Sequence, residues 1–203
     1  LSTDPEGRLA SRLDPSGTFN EWLYDSRGLL SGYGPNLGRM SFSYDAAGNL
    51  VSRTDPQSNT WSFAYDSRNQ RASVTDPLTN TTYYEYDGEG NVITVTDPLS
   101  NTTSFMYDSM NRMTGVTDPL GNTEAWTYTA MLPSTRTDRN GRTTTYSYTN
   151  AGPVSSISFF DPYNPATTLT RNFSYDSRYR CVSESGPYLT LTRTFDNCDH
   201  PIS

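Results

Sequence analysis

Short runs of β-branched and aromatic residues alternate with turn residues along the whole chain. The runs at 92–96 (VITVT) and 102–107 (TTSFMY) are typical, and each is bounded by Asp, Asn, Gly or Pro. Runs of this length and composition are typical of strands. An aromatic residue also stands two positions before almost every recurring tyrosine, and that spacing places both rings on one face of a strand. The pattern predicts an all-β fold.

The dipeptide Tyr-Asp recurs at a nearly constant interval. When degenerate copies such as Tyr128-Thr129 and Tyr148-Thr149 are included, successive copies are 20 or 21 residues apart, with one longer step of 27 residues between Tyr148 and Tyr175. A fixed period of this kind is typical of a repeat protein. We interpret residues 1–203 as a single array of hairpin repeats of about 21 residues, with a longer hairpin or an insertion at about 151–171. A binding loop is the alternative interpretation of that irregular region.

Each repeat carries two turn signals. The first follows the tyrosine, as in DAAGN at 45–49, where Asp caps its own backbone and Gly or Asn adopts the left-handed conformation. The second is Asp-Pro followed by Asn, as in Asp55-Pro56 and Asn59, where proline fixes the bend. The predicted turn-capping carboxylates are those of Asp25, Asp45, Asp66, Asp87, Asp108 and Asp176.

The paired aromatic residues are the main cohesive element that the sequence predicts. Stacked copies would form two adjacent aromatic ladders across the sheet, in which ring pairs add to the stability from burial. The same rings could instead stack sugar rings if they were exposed. The predicted ladder consists of Trp22, Tyr24, Phe42, Tyr44, Phe63, Tyr65, Tyr84, Tyr86, Phe105, Tyr107, Trp126, Tyr128, Tyr146, Tyr148, Phe173 and Tyr175.

The architecture that fits this pattern is a series of tandem antiparallel β-hairpins in one twisted sheet. About eighteen strands would exceed the roughly ten that an open sheet holds before it curls. We therefore expect a curled sheet, part of a spiral shell or an open barrel. A β-solenoid with two strands in each rung is the rival architecture, because it also stacks equivalent residues.

Charge and composition narrow the classes of binding partner that we expect. Acidic residues outnumber basic ones by 22 to 15, and a nucleic-acid-binding protein usually carries a basic stripe, so nucleic acid is not an expected partner. No apolar run approaches the roughly 20 residues that span a bilayer, so no membrane span is expected. Two cysteines, Cys181 and Cys198, are either free thiols or a disulfide, and spacing alone does not decide between them.

The sequence offers no convincing catalytic or metal site. The only histidine, His200, lies near the last residue without a recognisable third group to hold it. Paired carboxylates could in principle hydrolyse glycosides, but nearly all of them occupy repeated turn positions, whereas an active site is usually unique. Rows of turn carboxylates could also attract calcium, yet no calcium-binding loop pattern is present. We expect no enzyme activity, no cofactor and no bound metal.

The Tyr-Asp dipeptide, the turn after it and the Thr-Asp-Pro turn together resemble the RHS (YD) repeat family, most closely over 44–127. In bacterial toxin complexes and polymorphic toxins, members of that family form a spiralling ribbon of hairpins that encloses a toxic polypeptide. Asp118-Pro119-Leu120-Gly121 is similar to part of the family's core motif, but it occupies an ordinary turn position. Nothing else resembles the core segment, the self-cleavage site or the effector of complete members.

The resemblance implies a structural scaffold, a wall segment of a secreted or surface-displayed shell. Its partners would be the rest of the parent chain, meaning further repeats and an enclosed effector. A carbohydrate- or cell-surface-binding module that uses the aromatic ladder is the alternative, and a glycosidase-like enzyme is a more distant one. Since unpaired strand edges recruit other chains, we also expect self-association through the sheet edges of the isolated segment.

Overall fold

The structure is a computed structural model, and it describes residues 1–13, 15, 17–35, 38–161, 164, 167–188, 190–196 and 201. The chain divides into two compact units, Leu1–Thr103 and Ser104–Ser203. Across the described residues there is no helix, and consecutive strands within each unit pair in the antiparallel sense. The predicted all-β fold of tandem hairpins is confirmed, because a solenoid would instead stack its strands in parallel between rungs.

The first unit contains ten complete strands, each paired with its neighbour in sequence. They are β1 (Ser2–Thr3), β2 (Leu9–Leu13), β3 (Phe19–Tyr24), β4 (Leu30–Gly34), β5 (Met40–Tyr44), β6 (Leu50–Thr54), β7 (Thr60–Tyr65), β8 (Arg71–Thr75), β9 (Thr81–Tyr86) and β10 (Val92–Thr96).

The second unit is also a meander of antiparallel strands, and the division at Thr103 and Ser104 falls within β11. Its strands are β11 (Thr102–Tyr107), β12 (Met113–Thr117), β13 (Thr123–Thr129), β14 (Leu132–Thr137), β15 (Thr143–Tyr148), β16 (Val154–Phe160), β17 (Thr168–Tyr175), β18 (Cys181–Ser185) and β19 (Thr190–Thr192). The step of 27 residues falls on the β16–β17 hairpin, whose strands have seven and eight residues.

The two kinds of hairpin differ in register. In the Tyr-Asp hairpin of β7 and β8, Ala64 pairs with Ser73 but Tyr65 pairs with Arg71, which leaves Ala72 as an extra residue. This β-bulge recurs in the other Tyr-Asp hairpins, and a bulge increases the local twist. The Asp-Pro hairpin of β6 and β7 has three pairs in register and no bulge.

Neither unit has a dry core. No hydrophobic side chain among the described residues is fully buried, and within each unit strands contact only their neighbours in sequence. In all eight predicted aromatic pairs, both rings are half-buried while the residue between them is exposed, as Ala64 is between Phe63 and Tyr65. Cohesion therefore comes from one half-buried aromatic face and from polar contacts along the turns.

Candidate functional site

The Asp-Pro turns are closed by a repeated set of hydrogen bonds. In the turn at 76–80, Asp76 Oδ1 accepts the backbone N–H of Leu78 at 2.8 Å and of Asn80 at 2.9 Å. Asp76 Oδ2 accepts the Asn80 side-chain amide at 2.8 Å. The N–H of Thr79 donates to the Asp76 carbonyl at 3.0 Å. One carboxylate thus satisfies donors that the tight loop would otherwise leave unpaired.

The Tyr-Asp turns have the same geometry. Asp87 Oδ1 accepts the N–H groups of Glu89 and Asn91, and Asp87 Oδ2 accepts the Asn91 amide at 2.8 Å. The six carboxylates singled out in the sequence each accept backbone N–H groups in this way. The same contact is made by further carboxylates that sequence reasoning did not select as caps, namely Asp4, Asp55, Asp76, Asp97, Asp118 and Asp138.

These hydrogen bonds hold the turn carboxylates in their charged form. A side-chain hydrogen bond from the following asparagine is the main cause of a lowered pKa at Asp76, Asp87 and Asp97. At Asp108 the main cause of the lowered pKa is the hydrogen bond from the Arg112 guanidinium. A carboxylate that already accepts three protein donors does not need a cation to stabilise it.

Seven of the eight repeat tyrosines use their hydroxyl groups to join one hairpin to the next. Tyr65 Oη donates to the Leu50 carbonyl at 3.0 Å, and Tyr86 Oη donates to the Arg71 carbonyl at 2.9 Å. The accepting residue is the first or second of the strand that follows the preceding Tyr-Asp turn, beside the bulge. The same contact joins Tyr24 to Leu9, Tyr44 to Leu30, Tyr128 to Met113, Tyr148 to Pro133 and Tyr175 to Val154.

The position of this contact explains how it holds neighbouring hairpins together. The ladder between β6 and β7 ends at the pair Ser52 and Ser62, before the strands reach Leu50 and Tyr65. The tyrosine hydroxyl joins the two strands beyond that last pair, where the β-bulge shifts the register of the neighbouring strand pair. Sequence reasoning missed this hydroxyl contact, because it depends on the bulge and not on residue type alone.

Guanidinium groups pack on many of the aromatic rings. Arg8 lies 4.4 Å from the centroid of Tyr24, Arg53 lies 4.4 Å from Trp61, and Arg112 lies 4.5 Å from Tyr128. Successive repeat tyrosines are two strands apart, about 9.5 Å, so the side chain of the intervening strand must fill the space between the rings. Cation–π contacts of this kind are favourable when partly desolvated. The ring-on-ring ladder itself stays a prediction.

Arginines also link successive Tyr-Asp turns, which lie at the same end of the strands. Arg68 donates to the carbonyls of Asp87 at 2.7 Å and of Gly88 at 2.9 Å. Arg27 bonds the Asp45 carbonyl and Arg112 bonds the Ala130 carbonyl in the same manner. Since guanidinium carries five donors and no acceptor, it suits this bridging between carbonyls better than an ammonium group would.

The remaining candidate residues are not drawn together into a chemical site. Cys181 is a free, half-buried thiol, whereas Cys198 and His200 lie outside the described residues. In the part of the chain that the structure describes, no group of three His, Cys, Asp or Glu side chains is arranged to hold a metal ion. A helix long and apolar enough to cross a membrane is likewise absent from that part.

Comparison with known proteins matches part of the chain to a repeat family. The RHS repeat model matches residues 44–81 and 86–123, two tandem stretches that each contain both kinds of turn. These two stretches carry RHS repeats. No curated protein matches the chain.

Solved structures with the same fold come from toxin complexes. The array is similar to TcdB2-TccC3 without its hypervariable C-terminal region, with a TM-score of 0.58 and 17% identity over 97% of the chain. It is also similar to TcdB2-TccC3-Cdc42, with a TM-score of 0.55 and 14% identity over 98% of the chain. A Tc holotoxin pore from Photorhabdus luminescens gives a TM-score of 0.50 and 14% identity over 99% of the chain. The chain spans 11 to 15% of the length of these proteins.

Proposed function

We propose that this RHS array is a wall segment of a shell that encloses or presents another part of its parent protein. The observation that carries the proposal is the copying of one set of contacts in repeat after repeat. Turn carboxylates, tyrosine hydroxyls and arginine bridges each recur at equivalent positions. A function that depends on one reacting centre does not need such copies, whereas a wall does.

The two sides of the strands support the same proposal. One side carries the half-buried rings and arginines, and the other carries small hydroxyl side chains in cross-strand pairs. Thr54 bonds Thr60 at 2.8 Å, and Thr75 bonds Thr81 at 2.9 Å, both beside Asp-Pro turns. A strand paired on both edges, with hydroxyl pairs on one face and rings packed with guanidinium groups on the other, is suited to a thin wall. The likeness to TcdB2-TccC3 supports the fold on which the proposal rests.

Glycan binding is less well supported by the contacts. A sugar-stacking site needs an open aromatic face, but the faces of Tyr24, Trp61 and Tyr128 are each covered by a guanidinium group. We also propose that the array has no catalytic activity of its own, and that the parent protein is exported or displayed at the cell surface.

Protease protection in the parent protein tests the wall proposal. We expect the segment enclosed by the shell to resist protease in the intact parent and to become sensitive when the wall is weakened by Tyr65→Ala with Tyr86→Ala. The matched control is Tyr83→Ala, which removes a ring that is 55% exposed on the other side of β9. Its protection should equal that of the unmodified parent.

Two results would contradict the proposal. The first is equal protease sensitivity of every segment of the unmodified parent, inside and outside the predicted shell. The second is a protected segment that stays protected after the double tyrosine substitution, although thermal unfolding shows that the repeats have been destabilised.

A further inference from the structure

The irregular hairpin of β16 and β17 borders a cleft. Strands β16 and β17 extend past the usual length, so that Phe159 pairs with Leu169 and Phe160 pairs with Thr168. Their ends face the turn at 138–142. Between them lies a cleft of about 490 Å³, lined on one side by Asn140, Arg142 and Thr143, and on the other by Phe160, Thr167 and Thr168. In a repeat protein, a feature that departs from the repeated geometry is a natural place for a specific contact.

Arg142 lacks a contact that asparagine and arginine make at the same position of other turns. At the fifth position of the turns that begin at Asp97 and Asp118, an asparagine donates its amide to the turn carboxylate. Where that position is arginine, as at Arg112, the guanidinium bonds the carboxylate instead, with Nε 2.8 Å from Asp108 Oδ2. The Arg142 guanidinium makes no such bond to Asp138, the carboxylate of its own turn. Its side chain makes no hydrogen bond or ion pair with any described residue.

The guanidinium is held over an aromatic ring. Its Cζ atom lies 4.6 Å from the centroid of Phe160, which orients the plane of the group and leaves its N–H donors unused. The far wall is anchored by Asp161, which is 6% exposed and accepts the Thr167 hydroxyl at 3.0 Å. The side chains of Asn140 and Thr168 line the same cleft and, like Arg142, make no hydrogen bond with other described residues.

We propose that this cleft binds an oxyanion group, a carboxylate or a phosphate, through the Arg142 guanidinium assisted by Asn140 and Thr168. A guanidinium fork matches two oxygens of such a group, and charge-assisted hydrogen bonds of this type are about twice as strong as neutral ones. The half-buried Phe160 ring supplies an apolar floor under the guanidinium, while Arg142, Asn140 and Thr168 are exposed and accessible to a ligand. This proposal does not rest on the shell function, because it concerns a hairpin that departs from the repeated pattern.

The chain offers a matched pair of variants for the test. Arg142→Asn restores the Asn-to-Asp cap that the turn at 118–122 uses, so the turn should fold while the guanidinium is lost. Arg112→Asn makes the same exchange at a turn outside the cleft, where the turn at 87–91 shows that asparagine is accepted. Folding of both variants is checked by thermal unfolding before any titration.

The measurement is a titration followed by ¹H–¹⁵N NMR, with benzoate, inorganic phosphate and neutral benzamide as probes. We expect one or both anions to shift the Arg142 Nε–H signal and the backbone N–H signal of Thr168, and benzamide to leave them in place. Whichever of benzoate and phosphate binds more tightly identifies the carboxylate or the phosphate as the source. Arg142→Asn should weaken binding at least about tenfold, and Arg112→Asn should leave it unchanged.

Three results would overturn the proposal. One is an equal response to benzamide, which would show an apolar and not an anionic site. Another is an equal response of the Arg112 and Arg142 Nε–H signals, which would show only diffuse attraction between charges. The third is undiminished binding by a folded Arg142→Asn variant.

Discussion

The Tyr-Asp turns and the Asp-Pro turns lie at opposite ends of the strands, called here the Tyr-Asp edge and the Asp-Pro edge. The two edges share one turn chemistry but differ in almost every other contact. The Tyr-Asp hairpins contain a bulge and a tyrosine that reaches back to the preceding hairpin, and arginines link their turns. The Asp-Pro hairpins lack the bulge and are joined by threonine pairs within one hairpin. Cohesion between repeats is therefore concentrated on the Tyr-Asp edge.

Backbone strain varies among the turns. The fourth turn position has positive φ on both edges, and glycine or asparagine, as at Gly48, Asn69 and Gly121, tolerates that conformation. Three Asp-Pro turns instead place Ser58, Thr79 and Ser100 there, with φ of 68°, 70° and 66°, and one Tyr-Asp turn places Tyr179 there. The carboxylate cap must hold these residues in a conformation that they do not favour.

Acid should produce the largest effect, because the caps on both edges are carboxylates. The folded-state pKa of Asp76, Asp87 and Asp97 is lowered by hydrogen bonding, so their contribution to stability is complete above the unfolded-state pKa and is lost as the pH falls through the folded-state pKa. We expect the midpoint of thermal unfolding to be nearly constant above about pH 5 and to fall steeply below about pH 4. Circular dichroism melting from pH 7 to pH 2 measures it.

A flat pH profile would mean that the caps contribute nothing. A profile that falls in two separate steps, one for each edge, would show that the two kinds of turn are less alike than their hydrogen bonds indicate.

Removal of a repeat tyrosine should have the next largest effect. Tyr65→Ala deletes a half-buried ring and its bond to Leu50, so we expect the free energy of unfolding to fall by about 2–4 kcal/mol, towards the lower end of the range for a large aromatic residue. Tyr83→Ala, on the exposed side of β9, should cost less than about 1 kcal/mol. Urea unfolding followed by tyrosine and tryptophan fluorescence measures both.

Equal losses in the free energy of unfolding for Tyr65→Ala and Tyr83→Ala would show that both faces of the strands contribute to cohesion. That result would contradict the assignment of cohesion to the half-buried face and the Tyr-Asp edge. A loss for Tyr65→Ala below about 1 kcal/mol would show that the half-buried face is not the cohesive one.

How much of this could be read from the sequence depends on the range of each interaction. Turn positions and the all-β fold follow from local residues such as Asp45 and Gly48, because Asx capping and positive φ act within five residues. The bond from Tyr86 to the Arg71 carbonyl could not be predicted, since it depends on strand register and a bulge. The stacking of Arg142 on Phe160 was equally hidden, because it required the exact length of two irregular strands.

The hydroxyl contribution can be separated from that of the ring. Tyr86→Phe keeps the ring but leaves the Arg71 carbonyl without its donor, so we expect a loss of about 1 kcal/mol in the free energy of unfolding. Tyr83→Phe is the control and should change it by less than about 0.5 kcal/mol. If both substitutions are neutral, water replaces the Tyr86 hydroxyl without loss, and the link between hairpins consists of ring packing alone.

The smallest expected effect tests the strain on the Asp-Pro edge. Thr79 is a β-branched residue at φ 70°, where glycine has no steric penalty, but glycine also gains freedom in the unfolded chain. We expect Thr79→Gly to raise the free energy of unfolding by roughly 0.5–1 kcal/mol, because relief of the left-handed strain exceeds that entropic term. The reciprocal variant is Gly121→Ala, at the equivalent position of the 118–122 turn, where φ is 84°. Nothing lies within 4 Å of the methyl group that alanine would add. A loss of roughly 1 kcal/mol in the free energy of unfolding would therefore report backbone strain alone. Urea unfolding of both variants measures the pair. A loss of stability for Thr79→Gly would mean that the threonine hydroxyl, which bonds the Leu78 carbonyl, stabilises the turn by more than the strain destabilises it.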